Sequence, residues 1–250
     1  MKLLKFIFLN LCVVSLYGQQ INPDGFNKFY HDNGVLSAEG YLKEGKPDGY
    51  WKNYYENGLL MSEGNRKEFL LDSTWTFYSE DGQLIKKINY KEGKKNGLQV
   101  FFYKDYYLEE NYKDDSREGF LKKFYLNGSI KEEVPLLNGK EHGIGREFNK
   151  EGLVITLNTY LNGIIVGKEI INRYDRNGKR QGKWKFFYDE GTLQLEGFYK
   201  ADKKHGFFKQ YSRDGSLLGI AKYEDDVLIT DAVELVSYDL KYEYYVDGKV

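Results

Sequence analysis

The chain is poor in the residues on which several kinds of chemistry depend. Of 250 residues one is cysteine, three are proline and three are histidine. The cysteine, Cys12, lies inside an apolar run near the amino terminus, so a chain cleaved after that run contains no thiol for a disulfide, a thiolate metal site or a nucleophile. His31, His142 and His205 are far apart in a repeating array, and the last two occupy equivalent turn positions also filled by Asp48, Asn96 and Gln181. No metal or cofactor site is expected from them. P-loop, GxSxG and HExxH patterns are missing, and the adjacent acidic pairs Glu109-Glu110, Glu132-Glu133 and Asp225-Asp226 would point to opposite faces of a strand. Charge of one sign is also lacking. Without Lys2 and Lys5, 35 basic residues face 38 acidic ones, which gives no basic footprint for nucleic acid. These absences predict a protein that is not an enzyme and needs no cofactor.

Aromatic residues and glycine are abundant. Phe, Trp and Tyr make up 17% of the chain, with 23 Tyr, and there are 27 Gly. Aromatics suit a pleated, half-buried surface and glycine supplies turns with positive φ, so strands are predicted rather than helices. Residues 1–19 differ. Lys2 and Lys5 precede the apolar stretch Phe6–Leu16, interrupted by Asn10 and Ser15, and Tyr17, Gly18 and Gln19 follow. Those are the parts of a secretory signal peptide, too short to span a bilayer as a helix. Export to the periplasm, the cell surface or the medium is expected.

One period runs through residues 20–226. The openers Gly25, Gly49, Ser73, Gly97, Gly119, Gly143, Gly182 and Gly206 are spaced mostly by 24 residues. Five residues after each stands an aromatic: Tyr30, Tyr54, Tyr78, Phe102, Phe124, Phe148, Phe187 and Tyr211. At nine stands glycine in all units but one, where Tyr106 replaces it, and at eleven an aliphatic residue from Leu36 to Leu217. Each unit reads as a β-hairpin, and a second turn such as Glu44-Gly45 leads to the next. The fold class is therefore all-β: an elongated antiparallel meander of eight stacked hairpin repeats, with an extra hairpin at 167–181 and capping strands at 227–250. Glu151 and Glu190 precede the turn glycine, which argues against a two-residue loop with two positive φ values and for a three-residue loop with only the glycine left-handed. That loop places the fifth and eleventh positions opposite each other, and they are expected to form the core face. The second, fourth and sixth positions vary between aromatic and polar, and are expected to form a partly exposed face that binds through Trp51, Trp75, Trp184, Phe77 and Tyr55.

The segments Asp48-Gly-Tyr-Trp-Lys-Asn-Tyr-Tyr-Glu-Asn-Gly and Gln181-Gly-Lys-Trp-Lys-Phe-Phe-Tyr-Asp-Glu-Gly resemble the units of the MORN-repeat-variant family, the group often named YwqK-family antitoxins. The resemblance covers about Asp24 to Asp226 and departs from the pattern at Tyr106 and at the signal peptide. It implies a scaffold or partner-binding module: an exported repeat protein with a protein partner, antitoxin- or immunity-like in one special case. A glycan- or lipid-binding protein of the envelope, touching a membrane surface, is the alternative. Oligomeric state is not legible in the sequence.

Overall fold

The computed structural model describes residues 20–230, so the signal segment 1–19 and most of the expected cap at 227–250 lie outside the described residues. Among the described residues there is strand and turn and no helix, arranged as antiparallel hairpins in chain order. Two compact units are formed. The first runs to Leu84 and includes Lys91–Gly93; the second comprises Ile85–Tyr90 and continues from Lys94.

The hairpin of the second repeat shows how the sequence sets the geometry. Lys46–Tyr54 pairs with Leu60–Lys67. The Gly58 N–H donates to the Tyr55 carbonyl and the Tyr55 N–H to the Leu59 carbonyl, each at 2.9 Å. Gly58 has φ 83°, whereas Glu56 and Asn57 keep negative φ. This is the three-residue loop with a left-handed glycine that the Glu-Gly repeats require. Tyr54 faces Leu60, Asn53 faces Ser62, and Met61 is the extra residue of a bulge. The same register recurs as Tyr30↔Leu36, Phe124↔Ile130, Phe148↔Val154, Phe187↔Leu193 and Tyr211↔Leu217. The unit lacking the turn glycine departs from it: Leu108 faces Phe101 rather than Phe102, and no bulge forms.

The turns between repeats are two-residue loops with both φ positive, such as Glu44 at 51° with Gly45 at 73°, and Glu68 at 51° with Phe69 at 76°. Side chains such as Phe69 and Ala201 are unfavourable there, and the neighbouring repeat holds the loops in place. Asp24 accepts from the Glu44 N–H at 2.7 Å, Asp48 from Glu68 at 3.1 Å, Asp202 from Arg180 at 2.8 Å and Asp226 from Lys204 at 2.8 Å.

In the second unit the expected extra hairpin at 167–181 is divided between two sheets, which corrects its reading as an added element. Ile164–Ile170 ends the first sheet, while Arg173–Tyr174 pairs with Arg180–Phe187 and begins a second sheet that runs to Val227–Ile229. The reason lies in Ile171 and Asn172. Ile171 is fully buried with Val154 and Leu157, and Asn172 takes φ 53°. The Asn172 side-chain amide donates to the carbonyls of Val154 and Lys185, both at 2.9 Å, and its Oδ1 accepts from the Lys185 N–H at 2.7 Å. One side chain thus ties the sheets together where the strand would otherwise have continued.

Candidate interaction surface

The faces of the sheet are the reverse of the expectation. The residue two after each opener is buried in seven of eight repeats: Asn27, Trp51, Trp75, Gln99, Gly145, Trp184 and Phe208, with Leu121 half-buried. Its cross-strand partner is equally covered: Trp51 faces Gly64, Gln99 faces Glu110, Leu121 faces Val134, and Trp184 faces Gly197. Packing is by size. The Trp51 ring lies over Gly40, Trp75 over Gly64 and Phe208 over Gly197, and a Cβ on any of these glycines would overlap the ring.

Trp51, Trp75 and Trp184 are only 6%, 2% and 2% exposed, so the expected tryptophan platform is corrected to packed interior. The Trp51 Nε1 donates to the Tyr41 carbonyl at 3.0 Å and that of Trp75 to Asn65 at 2.7 Å, which satisfies these two indole donors inside the sheet, whereas the Trp184 Nε1 is buried without a hydrogen-bond acceptor among the described residues. Phe77 is half-buried against Trp75, ring centroids 6.4 Å apart. Tyr55 is also half-buried, and its hydroxyl donates at 2.8 Å to the carbonyl of Tyr78, one repeat on. Tyr125 and Tyr188 repeat that bond to Phe148 and Tyr211. Tyr55 therefore joins successive turns.

The open face carries the odd positions. The fifth-position rings expected as core are half-buried here, apart from Tyr30, which is exposed. Lysine at the third position faces glutamate at the fourteenth: Lys28 with Glu39 at 3.7 Å, Lys122 with Glu133 at 3.1 Å and Lys185 with Glu196 at 3.7 Å. Fifth-position tyrosines add their hydroxyls to the same carboxylates, Tyr54 to Glu39 at 2.7 Å and Tyr211 to Glu196 at 3.0 Å. Burial, then the hydrogen bond and charge of Glu39, push the Tyr54 hydroxyl up to about 12. At the junction of the sheets Glu169, from the last strand of the first, bridges Lys183 and Lys185 of the second. Burial opposes its ionisation, but the two ammonium groups outweigh that and hold its carboxyl below the usual range.

Beside this ladder stands a stripe that sequence reasoning missed. The residue just after each opener is a large exposed apolar group in six repeats: Phe26 and Tyr50 in the first unit, and Leu98, Phe120, Ile144 and Phe207 in the second. Ile144 is 56% exposed. The available signal was parity, since this position shares a face with the lysine at three. The arrangement offers apolar side chains for burial and paired charges of both signs for directional contacts.

Three segments of the chain match a family model described as MORN repeat variant: residues 47–68, 71–92 and 180–201. Repeats of that kind are generally protein- or membrane-binding modules. A search of curated proteins finds no match to the chain. The three matched segments are the units whose second position is tryptophan, Trp51, Trp75 and Trp184.

Proposed function

We propose that this protein is an exported binding module that holds a protein partner on its lysine–glutamate face. The observation that supports it is the exposed stripe of Phe120 and Ile144 beside the paired charges of Lys122, Glu133 and Arg146. Apolar groups rimmed by polar ones are the chemistry of protein recognition. The alternation of both signs along the ladder gives no net attraction to an anionic bilayer. Lys2, Lys5 and the apolar run Phe6–Leu16 support export, and an immunity-type role is the case in which the partner is an incoming toxin.

The test is affinity capture from envelope extract with the chain from residue 20 onward and with a Phe120→Ser, Ile144→Ser variant. Loss of the captured protein at an unchanged melting temperature is the expected result. Identical capture by both chains excludes this face, and sedimentation with phosphatidylglycerol vesicles would assign the surface to a membrane instead.

A further inference from the structure

Among the described residues Ile164–Ile170 is the last strand of the first sheet and is paired on one side only. A one-residue slip sets it apart from the strands that open other repeats. Gly40 and Trp51, fifteen and 26 residues after Gly25, face each other. The same spacing from Gly143 would set Asn158 opposite Glu169, but Asn158 faces Lys168. A slip of one exchanges the faces of the side chains that follow. Glu169 thereby turns to the ladder, where Lys183 and Lys185 hold it at 2.5 and 2.7 Å. Ile170 turns to the covered side opposite Thr156 and is 58% exposed, because no further strand lies beside it.

The main chain of this strand is open in the same way. The Ile171 N–H donates inward to the Ile155 carbonyl at 3.1 Å, and the Asn172 N–H donates outward to Lys183 at 2.9 Å. Main-chain direction alternates along a strand, so Lys168 and Ile170 also turn their N–H and C=O groups outward. Those groups have no hydrogen-bond partner among the described residues. On the same hairpin Leu161, Ile164, Ile165 and Val166 are all exposed. Successive side chains point to opposite faces, so the edge is apolar on both sides, which makes it a template for a further strand.

We propose that Ile164–Ile170 is a docking edge for an extended, acidic and aliphatic segment of a partner protein, which joins the first sheet as its next strand. Charge selects that chemistry. Lys168 and Arg173 are exposed cations with no carboxylate within 4 Å among the described residues. Glu169, the one carboxylate of the strand, is already held by two ammonium groups. The edge is therefore cationic as well as apolar, and complementary charge steers an acidic strand to it. A second copy of the chain fits less well, since a two-fold axis at Lys168 or Glu169 would set like charges face to face. This edge is separate from the stripe of Phe120 and Ile144 and does not depend on it.

The probe is a blocked, fluorescein-labelled peptide, Glu-Val-Ile-Glu-Val-Ile-Glu, titrated with the chain from residue 20 onward, which holds every described strand, and followed by anisotropy. Saturable binding is expected, about ten-fold or more tighter than that of the counterpart Lys-Val-Ile-Lys-Val-Ile-Lys. Methylating one of the two alternating sets of main-chain nitrogens in the acidic peptide should abolish binding. In hydrogen exchange the Lys168 and Ile170 amides should slow about ten-fold or more in the complex, while the inward-bonded Glu169 amide is unchanged. Lys168→Pro removes an outward donor and should weaken binding. Lys168→Glu combined with Arg173→Glu should reverse the preference between the two peptides even if the proline variant fails to fold. No saturable binding, equal affinity for the two peptides, or unchanged exchange at Lys168 and Ile170 would overturn the assignment. A dimer that slows those two amides without peptide would give the edge to a second copy instead.

Discussion

On one face of the repeats Trp51 lies over Gly40 and Trp75 over Gly64 with their rings covered, while on the other Lys122 meets Glu133 and Phe120 stands in solvent. The column behind the covered face is the less uniform of the two: Asn27, Trp51, Trp75, Gln99, Leu121, Gly145, Trp184 and Phe208. The fifth-position column is aromatic in every repeat yet half-buried in most. Uniformity and burial part company because a close-packed layer requires only that the sum of facing volumes be kept. A large ring is opposed by glycine, Leu121 by Val134, and Gly145 receives Tyr160 and Val134 over its Cα. The fifth-position rings answer to a different demand, which is to shield the lysine–glutamate ladder and, at Tyr54, Tyr78 and Tyr211, to donate to it.

That contrast is open to direct attack. Trp75→Ala should cost roughly 3–5 kcal/mol by emptying a fully covered site, whereas Phe102→Ala should cost clearly less; equal losses in chemical denaturation would erase the distinction between the faces. Next in size is Gly64→Ala, expected to cost roughly 1–3 kcal/mol because its Cβ overlaps the Trp75 ring. Combining it with Trp75→Leu should give a loss smaller than the sum of the two single losses, and strict additivity would mean that ring and glycine do not share a site.

On the open face the effects should shrink. Lys122→Gln should cost no more than about 1 kcal/mol, with the difference fading in high salt. The smallest effect concerns Tyr54, whose neutral form is favoured by burial and by Glu39. A raised acid pKa means its contribution is complete below the ordinary tyrosine value of 10.0 and fades as pH rises toward about 12. Ultraviolet titration should show several late-ionising tyrosines, Tyr50, Tyr54, Tyr112 and Tyr160 among them, and Glu39→Gln should move one of these earlier; an unchanged curve would remove Tyr54 from the ladder.

Much of the hairpin was legible in the chain. The Glu-Gly pairs at 151 and 190 sufficed to select the three-residue loop, and that loop places Tyr54 opposite Leu60. What could not be read from that register was which face closes, since a hairpin pattern shows which residues share a face without saying which face is covered. A cue did exist in the pairing of Trp51 with Gly64 and of Trp184 with Gly197, because a glycine placed across from a tryptophan marks an interior contact. The junction at Asn172 had no such cue. Its role depends on a left-handed backbone and three hydrogen bonds to residues 13 and 18 positions away, which no local pattern encodes.

The aspartates that accept from the next turn, Asp24 from Glu44 and Asp48 from Glu68, reach 20 residues along the chain, and the tyrosines on the opposite edge reach 23. Every such bond joins one repeat to the next, so a lineage can lengthen or shorten the array by whole repeats and re-form each bond with a new neighbour. A single-residue insertion inside a strand would instead turn its tryptophan out and its lysine in. The unit that begins at Gly97 shows the tolerated form of change: two residues are missing, one from the loop and one from the bulge beside it, and the alternation of its strands is intact. Copy number is thus the dimension along which this protein can vary most freely.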